Sequence, residues 1–347
     1  FAYFAPYKNQ RLRSMATGFD YNGDGFDDLV VGSEAWDVSG QSNAGGVAFI
    51  QGRASAGEGS IQVVCEADLL VRGRLKNDYV GRAVAGLGDL NGDGCDEVAV
   101  GASGEDHGKS SQGAVYIFYG WGDACAYSEP HTTQLVPESA NADSGWALEG
   151  NLDVDGDALP DLLVGGPDYR NGSVYGGAIW VLRGSYLASA ALAPAPLEDG
   201  ALPQAPQLFP FTPEDETARM KVMGKTHNGD LGTSVAYLSA PQEITESQGI
   251  TAYVAAGGPL LANSGSEKSG GAHVYAFYGA QGGIGFDPVP LMSFGGESYR
   301  KDGRLGDSLD LRWIEGELTI AIGGYDGTPF DATERISDGS VYIFTAP

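Results

Sequence analysis

Three short segments of this chain place oxygen-bearing side chains at alternate positions, the arrangement by which a loop wraps a hard cation. The segments are residues 20–28, 89–97 and 153–161. Each has Asp or Asn at positions 1, 3 and 5, a backbone carbonyl on offer at position 7 and a carboxylate at position 9. Oxygen donors at this spacing suit Ca²⁺. We predict two to three Ca²⁺ ions, held by Asp20, Asn22, Asp24, Phe26 and Asp28; by Asp89, Asn91, Asp93, Cys95 and Glu97; and by Asp153, Asp155, Asp157, Leu159 and Asp161.

The residues that follow each segment exclude an EF-hand. That helical motif requires Glu at position 12, whereas Val31, Val100 and Val164 occupy the position here. They lie in apolar runs of strand length, so we expect each cation in a turn between two strands. The alternative is an acidic turn without metal, because Asp, Asn and Gly favour tight turns by themselves. The third segment departs from the others at Ala158 and Pro160.

The composition indicates a large β-rich protein that does not bind nucleic acid. Glycine accounts for 54 of the 347 residues, proline for 17 and hydrophobic residues for 42%, which fits many short strands joined by turns around a sizeable core. The net charge of −26 argues against nucleic acid and anionic membrane as partners. No stretch approaches the ~20 apolar residues of a membrane-spanning helix, so we expect no direct membrane insertion.

The cysteine content does not indicate a cellular location, whereas the predicted calcium loops do. Cys65, Cys95 and Cys125 form neither a metal cluster nor a dense disulfide framework. One pair can be bridged, with one thiol left over, and the spacing does not select the pair. Open loops of this kind fill at the millimolar Ca²⁺ outside cells, which favours a secreted or cell-surface protein. Because the chain starts at Phe1 without Met, we expect an excised or processed segment of a larger surface protein.

A repeat with a period of roughly 65 residues organises the chain. Each of five units has an apolar second strand that ends in glycine, at Gly32, Gly101, Gly165, Gly257 and Gly323. A first strand opened by glycine precedes it, at Gly81, Gly145, Gly232 and Gly306, with Leu12 in the first unit. A third strand follows, as in Gly113-Ala-Val-Tyr-Ile-Phe. Repeated units of four strands are typical of β-propeller blades.

These residues resemble the FG-GAP repeat of the integrin α-subunit headpiece. The Phe-Gly position reads Val-Gly, Ser-Gly or Leu-Gly here, and the Gly-Ala-Pro position reads Gly-Ala-Ser, Gly-Gly-Pro or Gly-Gly-Tyr. The resemblance covers nearly the whole chain, with the calcium loops as its most specific part. It implies a β-propeller, usually seven-bladed, with structural calcium and a function in binding rather than catalysis.

Only five units fit this chain, so we predict an all-β propeller of five four-stranded antiparallel blades in one domain, residues 1–347. The alternative is part of a seven-bladed propeller. Residues 188–216 are rich in Pro and Ala and are expected to form a surface excursion. Residues 1–7 are predicted to add a strand to the last blade and close the ring, which would remove an exposed sheet edge. The blades are predicted at roughly 8–72, 73–136, 137–211, 222–294 and 298–347.

The loops between second and third strands lie at the other end of each blade from the calcium turns, and binding residues concentrate on such loops. We therefore predict a recognition or adhesion module whose protein or glycan partner contacts this opposite face. Aromatic and charged residues there can bind a sugar or a basic side chain. The candidates are Trp36, Asp106, His107, Tyr169, Arg170 and Tyr325.

Two alternative functions are a carbohydrate-active enzyme and a structural spacer. A lyase or hydrolase would need paired carboxylates in the axial funnel. The Gly306-Asp-Ser308-Leu309 sequence matches a lipase and esterase signature, but it coincides with the first strand of the fifth repeat, and a nucleophile needs a base within reach. We predict no enzyme activity. The spacer hypothesis predicts Ca²⁺ as the only ligand.

Overall fold

A computed structural model gives the architecture of most of the chain. It describes residues 12–53, 67–137, 139–189, 194–197, 200–202, 208–211, 219–225, 229–259, 270–278, 285–286, 290–295, 304–327 and 338–345.

The described residues are almost entirely strands and turns. The strands are β1 (Ser14–Thr17), β2 (Leu29–Ser33), β3 (Gly46–Ile50), β4 (Leu69–Arg72), β5 (Val80–Gly88), β6 (Glu97–Ala102), β7 (Ala114–Tyr119), β8 (His131–Pro137), β9 (Ala147–Leu152), β10 (Asp161–Gly166), β11 (Arg170–Asn171), β12 (Val174–Tyr175), β13 (Ala178–Leu182), β14 (Ala195–Pro196), β15 (Leu208–Phe211), β16 (Arg219–Met223), β17 (Ser234–Ser239), β18 (Ile250–Gly258), β19 (Gly271–Tyr278), β20 (Gly285–Phe286), β21 (Met292–Gly295), β22 (Arg304–Ile314), β23 (Glu317–Gly327) and β24 (Asp338–Thr345). Two short helices interrupt them, α1 (Gly184–Leu187) and α2 (Gln242–Gln248).

Each sequence repeat forms one antiparallel sheet. The first has the order β1-β2-β3-β4, the second β5-β6-β7-β8, the third β9-β10-β13-β16, the fourth β17-β18-β19 with β20 and β21 on β19, and the fifth β22-β23-β24. Chain neighbours pair as sheet neighbours, the meander of a propeller blade. The prediction of an all-β propeller built from five FG-GAP-like repeats is confirmed. Ser308 of the esterase-like motif lies within β22, opposite Gly323.

The middle strands of a sheet are buried on both faces. Every residue of β6 and β7 is buried, which explains why the second and third strands read as continuous apolar runs rather than as alternating patterns. The first strand of the third sheet is less covered, since β9 shows exposed and half-buried positions.

The contacts divide the chain into two compact units. The first comprises residues 1–151, 160–162 and 184–215, and the second comprises residues 152–159, 163–183 and 216–347. The core of the first contains Tyr21, Phe49 and Phe118, all almost fully buried. The core of the second contains Ile320 and Ile322 with their neighbours from β18 and β19.

The predicted blade limits and the closing strand remain predictions. Residues 1–7 lie outside the described residues. The fourth strand of the third sheet is β16, which begins beyond residue 211. Within the Pro- and Ala-rich stretch 188–216, β14 and β15 both pair with β8, the latter in parallel.

Candidate metal centres

All three acidic segments lie between the first and second strands of their sheets. Residues 20–28 connect β1 to β2, residues 89–97 connect β5 to β6, and residues 153–161 connect β9 to β10. Each therefore sits at one end of its sheet. The loops between second and third strands emerge at the other end, because consecutive strands run antiparallel.

In the first loop, the side chains at positions 1, 3 and 5 bind the loop's own backbone. Asp20 accepts the N–H of Asp24 on Oδ1 at 3.1 Å and that of Gly25 on Oδ2 at 2.6 Å. Asn22 Oδ1 also accepts the Asp24 N–H, and Asp24 Oδ1 accepts the N–H of Phe26, both at 3.0 Å. These bonds gather the three side chains in one tight turn. They account for the spacing, because each acceptor reaches a donor two to five residues ahead.

The other two loops repeat these bonds. Asp89 accepts the N–H groups of Asp93 at 3.1 Å and Gly94 at 2.9 Å. Asp153 accepts that of Ala158 at 3.1 Å, so alanine at position 6 preserves the turn even with a positive φ of 66°. The third loop therefore has the backbone path of the first two despite its sequence departure.

The carboxylate at position 9 ties each loop to the backbone just after the third strand. The acceptor and donor pairs are Asp28 with Gly52 N–H at 2.7 Å, Glu97 with Gly120 N–H at 3.4 Å, and Asp161 with Gly184 N–H at 2.7 Å. Sequence reasoning missed this bond. Its signal is the glycine that follows the third strand in each of the first three repeats.

These position-9 carboxylates are buried among other acids. Asp28 is 1% exposed and Glu97 is fully buried. Burial, with smaller contributions from Asp20 and Asp24, raises the pKa of Asp28 to about 6. Burial, with Asp93 and Asp89, raises the pKa of Glu97 to about 8. Among the residues that the structure describes, no lysine or arginine pairs with a carboxylate of these two loops. A bound cation would supply the missing positive charge.

The third loop brings three carboxylates together, and an arginine side chain lies beside them. Oxygen atoms of Asp153, Asp155 and Asp161 all lie within 4.8 Å of one another, which fits a shared oxygen-liganded ion. Arg183 Nε lies 3.5 Å from Asp155 Oδ2. Burial raises the pKa of Asp155, the neighbouring Asp157 raises it further, and Arg183 opposes the shift. The donor set of each loop thus fits Ca²⁺. The third has four carboxylates where the first two have three, and Arg183 offsets one of the four charges.

A disulfide joins Cys95 to Cys125, with sulfur atoms 2.01 Å apart. The sequence had left the pairing open. Cys65, the remaining cysteine, lies outside the described residues. Cys95 occupies position 7 of the second loop, where its backbone carbonyl is the predicted ligand, so the bridge attaches that loop to the segment after β7.

The predicted partner-binding residues occupy loops at the opposite end, several of them with partners inside the protein. Trp36 and Tyr169 are buried, at 8% and 6% exposed. Asp106 Oδ1 accepts the N–H of Ser111, and His107 Nε2 lies 2.9 Å from the amide of Gln134. Arg170 is exposed and stacks on Tyr175, and the side chain of Tyr325 lies outside the described part of the chain. Their role in binding remains a prediction.

Sequence reasoning missed a charged and aromatic cluster in the first unit, at the end of the sheets opposite the acidic loops. The Arg82 guanidinium lies 3.4 Å from the centre of the Trp146 ring and pairs with Glu34. Arg13 Nε lies 3.5 Å from the same carboxylate. Arg82 is 8% exposed, and its Nε has no hydrogen-bond partner among the residues that the structure describes. The signal was available, because Arg82 and Trp146 each follow the glycine that opens a first strand.

A cavity of about 290 Å³ lies between the first strands of the first three repeats. Its lining is mostly backbone and small side chains, with Glu149 as its carboxylate. Glycoside hydrolysis uses a pair of carboxylates, so this cavity does not favour the carbohydrate-active alternative.

Among the described residues, neither helix has the length to cross a bilayer.

Known proteins match part of this chain. Residues 12–50 and 80–118 match the FG-GAP repeat. The chain is 33% identical over 168 residues to a bovine phosphatidylinositol-glycan-specific phospholipase D, covering 48% of this chain and 20% of that protein. It is 31% identical over 188 residues to mouse integrin alpha-IIb, covering 50% and 17%. It is 35% identical over 160 residues to Drosophila melanogaster integrin alpha-PS2, covering 44% and 11%. The chain thus spans a fifth or less of these relatives, and the resemblance to FG-GAP repeats is confirmed.

Proposed function

We propose that this chain, which carries FG-GAP repeats, is a calcium-stabilised recognition module of a secreted or cell-surface protein. Its partner, a protein or a glycan, contacts the loops opposite the calcium turns. The observation that carries the proposal is the repeated loop. In each copy the position-9 carboxylate accepts a backbone N–H from just after the third strand. Within the described part of the chain, no lysine or arginine pairs with the buried acids of the first two loops.

Calcium would act here as a structural cross-link. The side chains at positions 1, 3, 5 and 9 and the carbonyl at position 7 would hold it, as in other oxygen-liganded sites. Because position 9 also binds the backbone after the third strand, an ion at the loop would stabilise three strands of the sheet together. Without an ion, the clustered carboxylates repel one another and the buried one is poorly solvated.

The opposite end offers groups suited to recognition. In the first unit, the exposed Arg13 and the partly exposed Trp146 flank the buried Arg82–Glu34 pair. In the second, the β11–β12 hairpin presents Arg170 stacked on the half-exposed Tyr175. Aromatic residues and arginine dominate the energetics of many protein interfaces. A rigid sheet that carries variable loops is the usual support for a binding site.

The length relationship to known proteins supports a module within a larger protein. The matched relatives are five or more times longer than the region they share with this chain. The Cys95–Cys125 bridge also agrees with an oxidising compartment.

A partner screen with paired charge reversals tests the binding face. The chain is applied with Ca²⁺ to arrays of glycans and extracellular protein domains. Arg170→Glu changes the opposite face, and Glu315→Lys changes an exposed residue in the turn between β22 and β23 as the matched control. We expect a bound partner that is lost with Arg170→Glu and kept with Glu315→Lys. Binding lost only with Glu315→Lys, or no partner at all, would refute the proposed face.

A further inference from the structure

We infer that residues 120–127 form a disulfide-locked strap that couples the first two calcium loops, so that reducing Cys95–Cys125 weakens Ca²⁺ binding at both. The inference rests on the proposed calcium binding. It concerns the regulation of those sites rather than their existence.

The strap holds the second loop at three points. The Ala126 N–H donates to Asp93 Oδ2 at 2.8 Å, and the Gly120 N–H donates to Glu97 Oε1. Between these two bonds, the disulfide fixes Cys95, whose carbonyl is the predicted ligand at position 7. Three of the five predicted ligands of one ion are therefore positioned by a segment outside their own loop.

The same strap also contacts the first loop. The Trp121 N–H donates to the Tyr21 carbonyl at 3.0 Å, and the two rings stack with centres 4.4 Å apart. The disulfide itself reaches the first loop at Gly23, where an added Cβ would lie 2.9 Å from Cys95 Sγ and 3.2 Å from Ala124 Cβ. The bridge is thus packed between the two loops, and its removal opens space beside both.

The two loops also bind each other directly. The Asp20 N–H donates to Asp96 Oδ2 at 2.8 Å, and the Asp96 N–H donates to the Asp20 carbonyl at 2.9 Å. Asp20 is the first ligand of its loop, and Asp96 lies between Cys95 and Glu97. A shift of Cys95 therefore moves a residue bonded to the first ligand of the neighbouring site.

Reduction would proceed by ordinary thiol–disulfide exchange. A dithiol reductant attacks as thiolate at Cys125 Sγ, since Cys125 is partly exposed whereas Cys95 is fully buried. The S–S bond breaks, Cys95 leaves as a thiolate and takes a proton, and the second reductant thiol displaces Cys125. The protein gains two electrons and two protons, and the reductant becomes a disulfide.

Linkage makes the coupling reciprocal. If reduction weakens Ca²⁺ binding by some factor, Ca²⁺ must favour the oxidised protein by the same factor. Tenfold coupling at one site corresponds to about 30 mV for this two-electron pair, and tenfold at each of two saturated sites to about 60 mV. Calcium would then protect its own strap from reduction, and a reducing environment would release both ions together.

The test compares the bridged chain with Cys95→Ala/Cys125→Ala, both in a Cys65→Ser background that prevents exchange with the third cysteine. Calorimetric Ca²⁺ titration gives the affinity of each site, and the third loop, which contains no cysteine, is the internal control. We expect about tenfold weaker binding at the first two sites and an unchanged third. Equal affinities with and without the bridge, or equal weakening at all three sites, would overturn the coupling.

A second measurement avoids substitution at the bridge. The equilibrium of Cys95–Cys125 with dithiothreitol is measured with Ca²⁺ and with EGTA, and we expect a more negative potential with Ca²⁺. An identical potential while Ca²⁺ is bound refutes the strap and leaves the proposed function standing. If the oxidised chain binds no Ca²⁺, the proposed function fails and the strap with it.

Discussion

Gly101 and Gly145 approach so closely that a Cβ built on Gly101 would lie 2.0 Å from the carbonyl oxygen of Gly145. Gly32 and Gly81 stand in the same relationship, with a corresponding distance of 2.3 Å. In each pair, the glycine that ends a second strand meets the glycine that opens the first strand of the next repeat. The glycine frame seen in the sequence therefore marks where the backbones of neighbouring sheets touch.

Gly101→Ala should destabilise the protein strongly. The methyl group has no flexible neighbour to displace, since the nearest atoms belong to the Gly145 backbone, and overpacking of this kind costs about 1–3 kcal/mol or more. Thermal melting measures the loss. Gly40→Ala is the control, because its methyl group would meet nothing within 4 Å and only its φ of 86° opposes the change. Equal effects of the two substitutions would contradict the packing explanation.

Asp24→Asn should remove one Ca²⁺ while preserving the turn. Asparagine retains the oxygen that accepts the Phe26 N–H. It loses the charge and the second oxygen, which accepts an exposed hydrogen bond from the Asn22 amide. We expect a melting temperature in EGTA close to that of the unaltered chain, and a smaller rise on adding Ca²⁺. Losing a site filled at a hundredfold excess over its Kd removes about 2.7 kcal/mol of stabilisation. Asp27→Asn, at a position that is not a predicted ligand, should keep the full response.

Arg183→Gln should tighten Ca²⁺ binding at the third loop. Its guanidinium lies 3.5 Å from Asp155 and repels a cation there. Removing it should strengthen binding about fivefold, for ~1 kcal/mol of electrostatic free energy at a partly screened site. Calorimetric titration resolves this site. Weaker or unchanged binding would show that Arg183 does not compete with the ion.

Asp78→Asn should stabilise the protein more at pH 8 than at pH 5. Asp78 is 5% exposed, and burial, with repulsion from Glu105 and Asp106, raises its pKa to about 7. Its charged form is therefore disfavoured by folding, so the penalty is fully present above pH 7 and disappears as the pH falls toward 4. Asparagine still accepts the Leu75 N–H. We expect a gain on the order of 2–4 kcal/mol at pH 8, measured by melting in EGTA.

The exposed Asp123 provides the control for that pH series. Asp123→Asn should leave stability nearly unchanged at both pH values, since a solvated carboxylate has little penalty to lose. A gain from Asp78→Asn that is as large at pH 5 as at pH 8 would show that burial of its charge is not the cause.

The local features of this protein could be predicted from the sequence because they depend on residues that are close together in the chain. The alternation of Asp20, Asn22 and Asp24 is set by bonds within a single turn, and the apolar runs are set by strands that are buried on both faces. Because the pattern recurs in five repeats, these weak local signals reinforce one another. The sheets and the order of their strands could therefore be predicted from the sequence.

Contacts between distant segments were beyond sequence reasoning. The Cys95–Cys125 pairing, the approach of Arg183 to Asp155 and the stacking of Arg82 on Trp146 each join residues from separate turns or repeats. No spacing rule predicts which side chains of neighbouring loops will meet. The loop face carries the least periodic signal, which is why the partner residues chosen from sequence include the buried Trp36 and Tyr169.

A calcium titration read by native mass spectrometry and by thermal melting tests whether the acidic loops bind Ca²⁺. EGTA and Mg²⁺ serve as the reference conditions. We expect two or three Ca²⁺ per chain and a rise in melting temperature that Mg²⁺ does not reproduce. A chain that binds no Ca²⁺ and melts at the same temperature in all three conditions would contradict this expectation, and the acidic segments would then be turns alone.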